Sequence, residues 1–428
     1  MLFGVPGLKQ NSVGIAVLII VGVALFSCGS YSNKPANRSG LTFRAFVSNP
    51  LAPLGTTASP VLNIMDATLD RVSPSSISLS SFNDLPGLMV LFPNKRSTLV
   101  FSSSSNSVTE IDNASEAIGQ SSSGSTLSPI MLPGFSQSIL VAPDNVTGFA
   151  AVPSASVTGQ PPGAVVALNL SSGGVFATVP VPSANYIVQS HNGNRILVFG
   201  SNTDPAHCGL LSEVTVITPS LIGTSQEPRT FVCSSAFDHP VWGVFSSDDS
   251  TAYIVNCGPE CGGTTASITP FNVATNNPGT PIPVAAGTIG LLSGNTLYVA
   301  GTPSGTACGT CGTLQAVDVT AGSVTAPVLI TDGYHNRIEM GANGQLFIGA
   351  HTCSSGCLSI FNTTAAGNAN VVIPPVSGEV TGIQPIRNRD VVYVCQNGAL
   401  FIYDTTTDKL QTTQVTINGQ AVDVKLVD

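Results

Sequence analysis

The sequence predicts an all-β fold, a β-propeller of eight four-stranded blades, with seven as the alternative count. Three observations lead there. The first is a recurrent run that alternates apolar residues and closes on Asp, Asn or Thr, about fifty residues apart. Its copies are Leu62-Asn-Ile-Met-Asp66, Val108-Thr-Glu-Ile-Asp112, Val165-Val-Ala-Leu-Asn169, Val214-Thr-Val-Ile-Thr218, Ile268-Thr-Pro-Phe-Asn272, Leu314-Gln-Ala-Val-Asp318, Leu358-Ser-Ile-Phe-Asn362 and Leu400-Phe-Ile-Tyr-Asp404. The second is a companion β-rich run upstream of each copy. The third is composition: only 9% of the 428 residues are charged, while Gly (43) and Pro (30) abound. Such a profile suits strands and tight turns rather than helices.

The elements of each repeat follow in order. The upstream run is strand b: Ala45–Asn49, Thr98–Phe101, Gly148–Val152, Ile196–Phe199, Ala252–Asn256, Leu297–Ala300, Leu346–Gly349 and Val391–Val394. The recurrent run is strand c, and its closing Asp or Asn can accept hydrogen bonds from the following turn. Runs such as Ser138–Val141 and Tyr186–Gln189 supply strand a, and runs such as Val175–Val179 supply strand d. The first repeat opens at strand b near Thr42 and has no strand a, whereas Ala421–Val427 is surplus after the last repeat. The surplus strand is predicted to complete blade one and close the ring, removing two exposed edges. The Ser-rich second repeat (Ser102 to Ser128) is the weakest copy, and its Ser121–Ser128 segment reads as loop.

A repeat fold uses residues 42–428 as one body. The net charge of −9 and the absence of a basic stripe exclude nucleic acid as a partner. Residues 1–27 read as an export signal: Lys9 is the lone charge before an apolar run, Val13–Phe26, that is short for a membrane span. The run ends in Leu25-Phe26-Ser27-Cys28, which resembles the bacterial lipobox. That resemblance implies lipidation of Cys28, a mature chain starting there, and a membrane contact through the lipid anchor only. Gly29 after the cysteine implies outer-membrane or cell-surface sorting, and 28–41 is a lipidated flexible tether. An ordinary signal peptide with an incidental cysteine is the plainer alternative.

The chain also resembles the YVTN-type repeat propellers of bacterial surface and secreted proteins. Tyr253-Ile-Val-Asn256 echoes the family's namesake run; Ile64-Met-Asp-Ala-Thr68 and Ile402-Tyr-Asp-Thr-Thr406 echo its turn. That family includes lactonase-like enzymes and many members without known activity, so the resemblance implies fold and location, not a reaction.

Nine cysteines remain after Cys28. Export favours disulfides. Cys257/Cys261, Cys308/Cys311 and Cys353/Cys357 each fall between strands b and c of successive blades, as local clasps. Cys208, in the matching loop of blade four, and Cys233, in strand d, make a fourth candidate pair, leaving Cys395 over. A zinc site built from two of the cysteine pairs and a redox dithiol at Cys308/Cys311 are the sharper alternatives; Gly312 excludes haem attachment there. Neither a metal nor another cofactor is expected.

In an up-and-down blade the b–c loops and d–a connections share a face. His207 and His351 are expected in b–c loops there, His239 and His335 in d–a connections, and His191 on the opposite face. Asp238 beside His239, and Tyr334 beside His335, make a weak candidate acid–base set overhanging the channel mouth. Arg337 and Glu339 share one face of strand a, where a structural ion pair is the bland reading, and Trp242 suits inter-blade packing. No nucleophile elbow, His-Glu-X-X-His, phosphate loop or calcium loop is present. The expected function is therefore a monomeric, non-catalytic scaffold for an unknown protein or small-molecule ligand. A lactonase-like hydrolase or lyase at the channel mouth is the alternative.

Overall fold

The computed structural model describes residues 38–51, 60–79, 85–121, 123–200, 208–303, 308–364, 370–411 and 415–428. Cys28, the export signal and His207 lie outside them. Eight antiparallel sheets follow one another along the chain, each ordered a-b-c-d, and together they form an eight-bladed β-propeller. Blade five, for example, is built from Pro240–Phe245, Thr251–Asn256, Ser267–Asn272 and the short pieces Asn277–Pro278 and Ile282–Pro283. The Ser-rich second repeat is a full blade, from Pro86–Leu91 through Ser97–Ser102 and Ser107–Asp112 to the outer pieces Ala117–Ile118 and Ile130–Met131.

Ring closure follows the sequence expectation. Val424–Leu426 pairs antiparallel with Arg44–Asn49 in the register Ala45↔Leu426, Phe46↔Lys425 and Val47↔Val424. Blade one thus takes its inner strand from the far end of the chain.

The corners are set by strand c. Asp66 accepts the amide of Thr68 at 3.0 Å, Asn169 that of Ser172 at 3.0 Å, Asn272 that of Thr275 at 2.9 Å and Asp404 that of Thr406 at 2.7 Å. Asp112, Asp318 and Asn362 do the same for Ser115, Thr320 and Thr364. Blade four has Thr218 instead, whose side chain caps nothing, and a 3-10 turn over Pro219–Leu221 makes its corner.

The core is not one mass but a series of layers between blades. Phe149 and Val165 of blade three meet Ile187, Ile196 and Val198 of blade four, all essentially buried. Each large apolar side chain so buried stabilises the ring by roughly 1.5–3 kcal/mol. The alternation of strands places the b–c loops and d–a connections on one face, with a–b and c–d turns on the other.

A clasped and acid-stitched loop face

Disulfides join Cys208 to Cys233, Cys257 to Cys261, Cys308 to Cys311 and Cys353 to Cys357. Three of them clasp the b–c loops of blades five, six and seven, and the first ties the b–c loop of blade four to its own outer strand. These bridges suit an oxidising, exported environment. Cys395 is a free thiol, wholly buried in strand b of blade eight. No helix among the described residues is long and apolar enough to cross a membrane.

Carboxylates bind these loops to one another. Asp332, in the connection before blade seven, accepts the amides of Cys308 (2.9 Å) and Gly309 (3.0 Å) from the blade-six clasp. The same carboxylate accepts the Ser354 amide (3.0 Å) and hydroxyl (2.5 Å) from the blade-seven clasp. Burial works to raise this carboxyl, but the hydrogen bonds from Ser354, Cys308 and Gly309 outweigh it and hold it at about 2. Glu379 accepts the Thr352 amide at 3.2 Å, extending the stitching to blade eight.

Asp238 does this within blade five. Its Oδ2 accepts the amides of Thr264 and Thr265, each at 2.7 Å, and the Thr264 hydroxyl at 2.8 Å. Nδ1 of His239 lies 2.9 Å from Oδ1. Burial again pushes upward; the bonds from His239, Thr265 and Thr264 prevail and hold Asp238 at about 2. The loop passes so close that a Cβ at Gly263 would sit 1.9 Å from that carboxylate. Asp238 is therefore an anchor with its lone pairs committed, a different chemistry from a free base orienting a histidine.

The candidate histidines are not equivalent. His239, at a left-handed φ of 58°, keeps a partly exposed ring at the loop face. His335 does not overhang the channel mouth from a connection, as its place in the sequence suggests. It lies instead inside strand a of blade seven, Tyr334–Met340, and is wholly buried. A β-bulge between His335 and Arg337 shifts the register there and sets the ring among neighbouring backbone. A Cβ at Gly312 would meet both the Thr331 carbonyl and this ring. Desolvation drives the imidazole down to about 4, so it is neutral at ordinary pH. Neither ring nitrogen has a well-aligned hydrogen-bond partner. His351 ends strand b of blade seven, its ring 5.2 Å from that of Tyr334. His191 lies on the opposite face, 2.7 Å from Asp249.

Glu260 is the residue that sequence reasoning missed. It sits inside the Cys257–Cys261 clasp and accepts the Thr302 amide of blade six at 2.8 Å. Burial raises its carboxyl to about 7, and its charge adds to the burial that pushes the Tyr334 phenol up to about 12. Its one legible signal was its place as the lone acid within the three short clasps. Arg337 and Glu339 form no ion pair among the described residues; the guanidinium donates to the carbonyls of Thr381 (2.9 Å) and Asn336 (2.8 Å). Trp242 does bridge blades: it stacks on Tyr186 of blade four at 4.0 Å and donates to the Gly290 carbonyl of blade six at 3.0 Å.

Two cavities lie toward the opposite face. One, of about 410 Å³, is polar and sits between the turns of blades four and five, beside Asn192, Arg195 and Asp249. The other, of about 360 Å³, is in the central channel beside Trp242.

No protein-family model matches the chain, and no curated protein matches it in sequence. Solved structures are similar in fold. Dihydro-heme d1 dehydrogenase NirN in complex with DHE aligns at a TM-score of 0.64 and 10% identity, over 92% of this chain and 79% of that one. Hydrazine synthase from Kuenenia stuttgartiensis aligns at 0.53 and 13% identity, over 78% and 96%. A functionally unknown protein from Desulfotomaculum acetoxidans aligns at 0.52 and 12% identity, over 90% and 98%. At such identities the likeness establishes the propeller fold and nothing about the reaction.

Proposed function

We propose that this chain is an exported, lipid-anchored binding propeller that presents its clasped loop face to a protein or small-molecule ligand without turning it over. The observation that carries this reading is the stitching of three successive disulfide-clasped loops by Glu260 and Asp332. A surface already ordered loses little conformational freedom on binding, which favours recognition. The burial of His335 and the full engagement of Asp238 weigh against the lactonase-like alternative, since neither offers a free base at the surface. Cys28 supplies the anchor in this reading.

Hydrogen exchange on the full chain, in native envelope extract with and without its captured ligand, tests the assignment. Protection is expected in the loops 257–265, 308–311 and 353–357. Protection confined to the a–b and c–d turns overturns the face assignment. Turnover of any metabolite in an untargeted panel, lost on replacing His239 and His335 together, overturns the non-catalytic reading. Recovery of the Cys28→Ala variant in the membrane fraction, unreleased, overturns the anchor.

A further inference from the structure

The channel cavity has a chemistry of its own. Its volume of about 360 Å³ falls within the range of about 300–1,000 Å³ usual for small-molecule pockets. Strands a of blades four to seven supply a wall of Val188, Trp242, Val244, Leu291, Leu292 and Ile338. Three polar side chains share it: Gln189, His191 and Glu339. His191 is already held by Asp249. Glu339 is different, because no described residue gives it a hydrogen bond or an ion pair.

The charges around Glu339 are otherwise engaged. Arg337, on the same strand, directs its guanidinium to the Thr381 and Asn336 carbonyls. Lys425 of the closing strand lies 3.5 Å from Oδ1 of Asp423, whose Oδ2 accepts the Met89 amide at 2.8 Å. Glu339 is exposed to the channel, so its carboxylate is open to a solute, while the crowding of its surroundings pushes the carboxyl up against the opposing pull of Lys425 and Arg337.

We propose that this cavity binds a small organic cation: a protonated amine that pairs with Glu339 and lays its hydrocarbon body against Trp242 and the aliphatic wall. The ammonium supplies a counter-ion to that carboxylate, and a charge-assisted hydrogen bond is roughly twice as strong as a neutral one. The indole face that is not stacked on Tyr186 attracts a cation as well. An anion would have to draw Arg337 away from the two carbonyls it serves and would face Glu339 and Asp423. The channel site is separate from the clasped face, and either can fail without the other.

Trp242 is the sole tryptophan, so its emission reports this cavity alone. The full chain is titrated with cyclohexylammonium, cyclohexanol and cyclohexanecarboxylate, with calorimetry in parallel. The ammonium is expected to bind saturably and at least about tenfold tighter than the alcohol, a margin one ion pair can supply. Glu339→Gln should erase that margin while leaving alcohol binding unchanged, with circular dichroism confirming the fold. Val244→Lys, which adds an internal ammonium to the wall of the same cavity with Glu339 intact, should also lose the exogenous amine. The proposal is overturned if the carboxylate binds as tightly as the ammonium, if Glu339→Gln retains the margin, or if no probe binds saturably.

Discussion

Two carboxylates on the clasped face respond to pH in opposite senses, because in one several donors outweigh burial and in the other burial outweighs a single amide. Asp332 is held at about 2, below its ordinary value, so the stability it lends is present above the ordinary carboxyl range and is lost as pH falls through about 2. Asp332→Ala removes the hydrogen bonds from Cys308, Gly309 and Ser354 at once and strands buried amides, at a cost of roughly 1–3 kcal/mol. Denaturant titration should show that loss at neutral pH and little of it below pH 2; an unchanged midpoint counts against the stitching role. Glu260 is raised to about 7, so its contribution is complete below the ordinary carboxyl range and declines as pH rises through about 7. The protection factor of 257–263 should therefore fall from pH 5 to pH 8 in the wild type, and Glu260→Gln should flatten that slope. An equal slope in both proteins removes Glu260 as the cause. None of this was legible from the chain alone, since both roles depend on contacts between blades. The notion that His335 overhangs the channel failed for a related reason: a bulge adds one residue to the strand and changes which way its neighbours face.

Strand c and its corner were legible because each is local. An alternating apolar run followed by Asp or Asn carries both the strand and the acceptor for its turn, and only blade four, with Thr218, needs a 3-10 turn. The outer strands were not so readable. In blades two, five and six strand d is broken into two short pieces on the same partner. Pro281 and Pro327 stand at the breaks of blades five and six, where a residue without an N–H cannot continue the ladder. In blade two the break is the Ser-rich excursion, held by Ser121 and Ser125 across 2.8 Å. The clasps differ in what they constrain. Cys208–Cys233 closes a separation of 25 residues, against 3 or 4 for the others. Chain-entropy reasoning gives about 3.5 kcal/mol for the former and about 2 kcal/mol for each of the latter. Replacing Cys208 and Cys233 together by Ser should lower the urea midpoint more than replacing Cys257 and Cys261. The short clasps should instead show their loss as faster exchange in their own loops, and the reverse ranking rejects this division.

At the scale of the whole ring, closure was foreseeable from a missing strand at one end and a surplus one at the other, but three registered pairs are a short seam. Buried charge reinforces it. Arg44, 5% exposed, donates to Glu116 of blade two at 2.8 Å and to Asp428 at 2.7 Å, while Glu116 is fully buried and also accepts the Ser39 amide. On the other side of blade one, Arg389 of blade eight pairs with Asp70, which also accepts the Tyr393 hydroxyl. Asp423 links the closing strand to the Met89 amide of blade two. Burial of an ion pair adds little over an apolar pair, yet removing one member leaves a charge stranded. Arg44→Met should thus cost about 3–5 kcal/mol, and because blade one holds both ends of the ring, the loss should appear as a lower midpoint for global unfolding. Adding Glu116→Leu to Arg44→Met should recover most of that cost by removing the stranded carboxylate, although Asp428 and Ser39 then lose a partner. A single variant no worse than about 1 kcal/mol, or a double variant worse than the single, means the seam is held by the closing strand's hydrogen bonds and apolar packing, with the charges incidental.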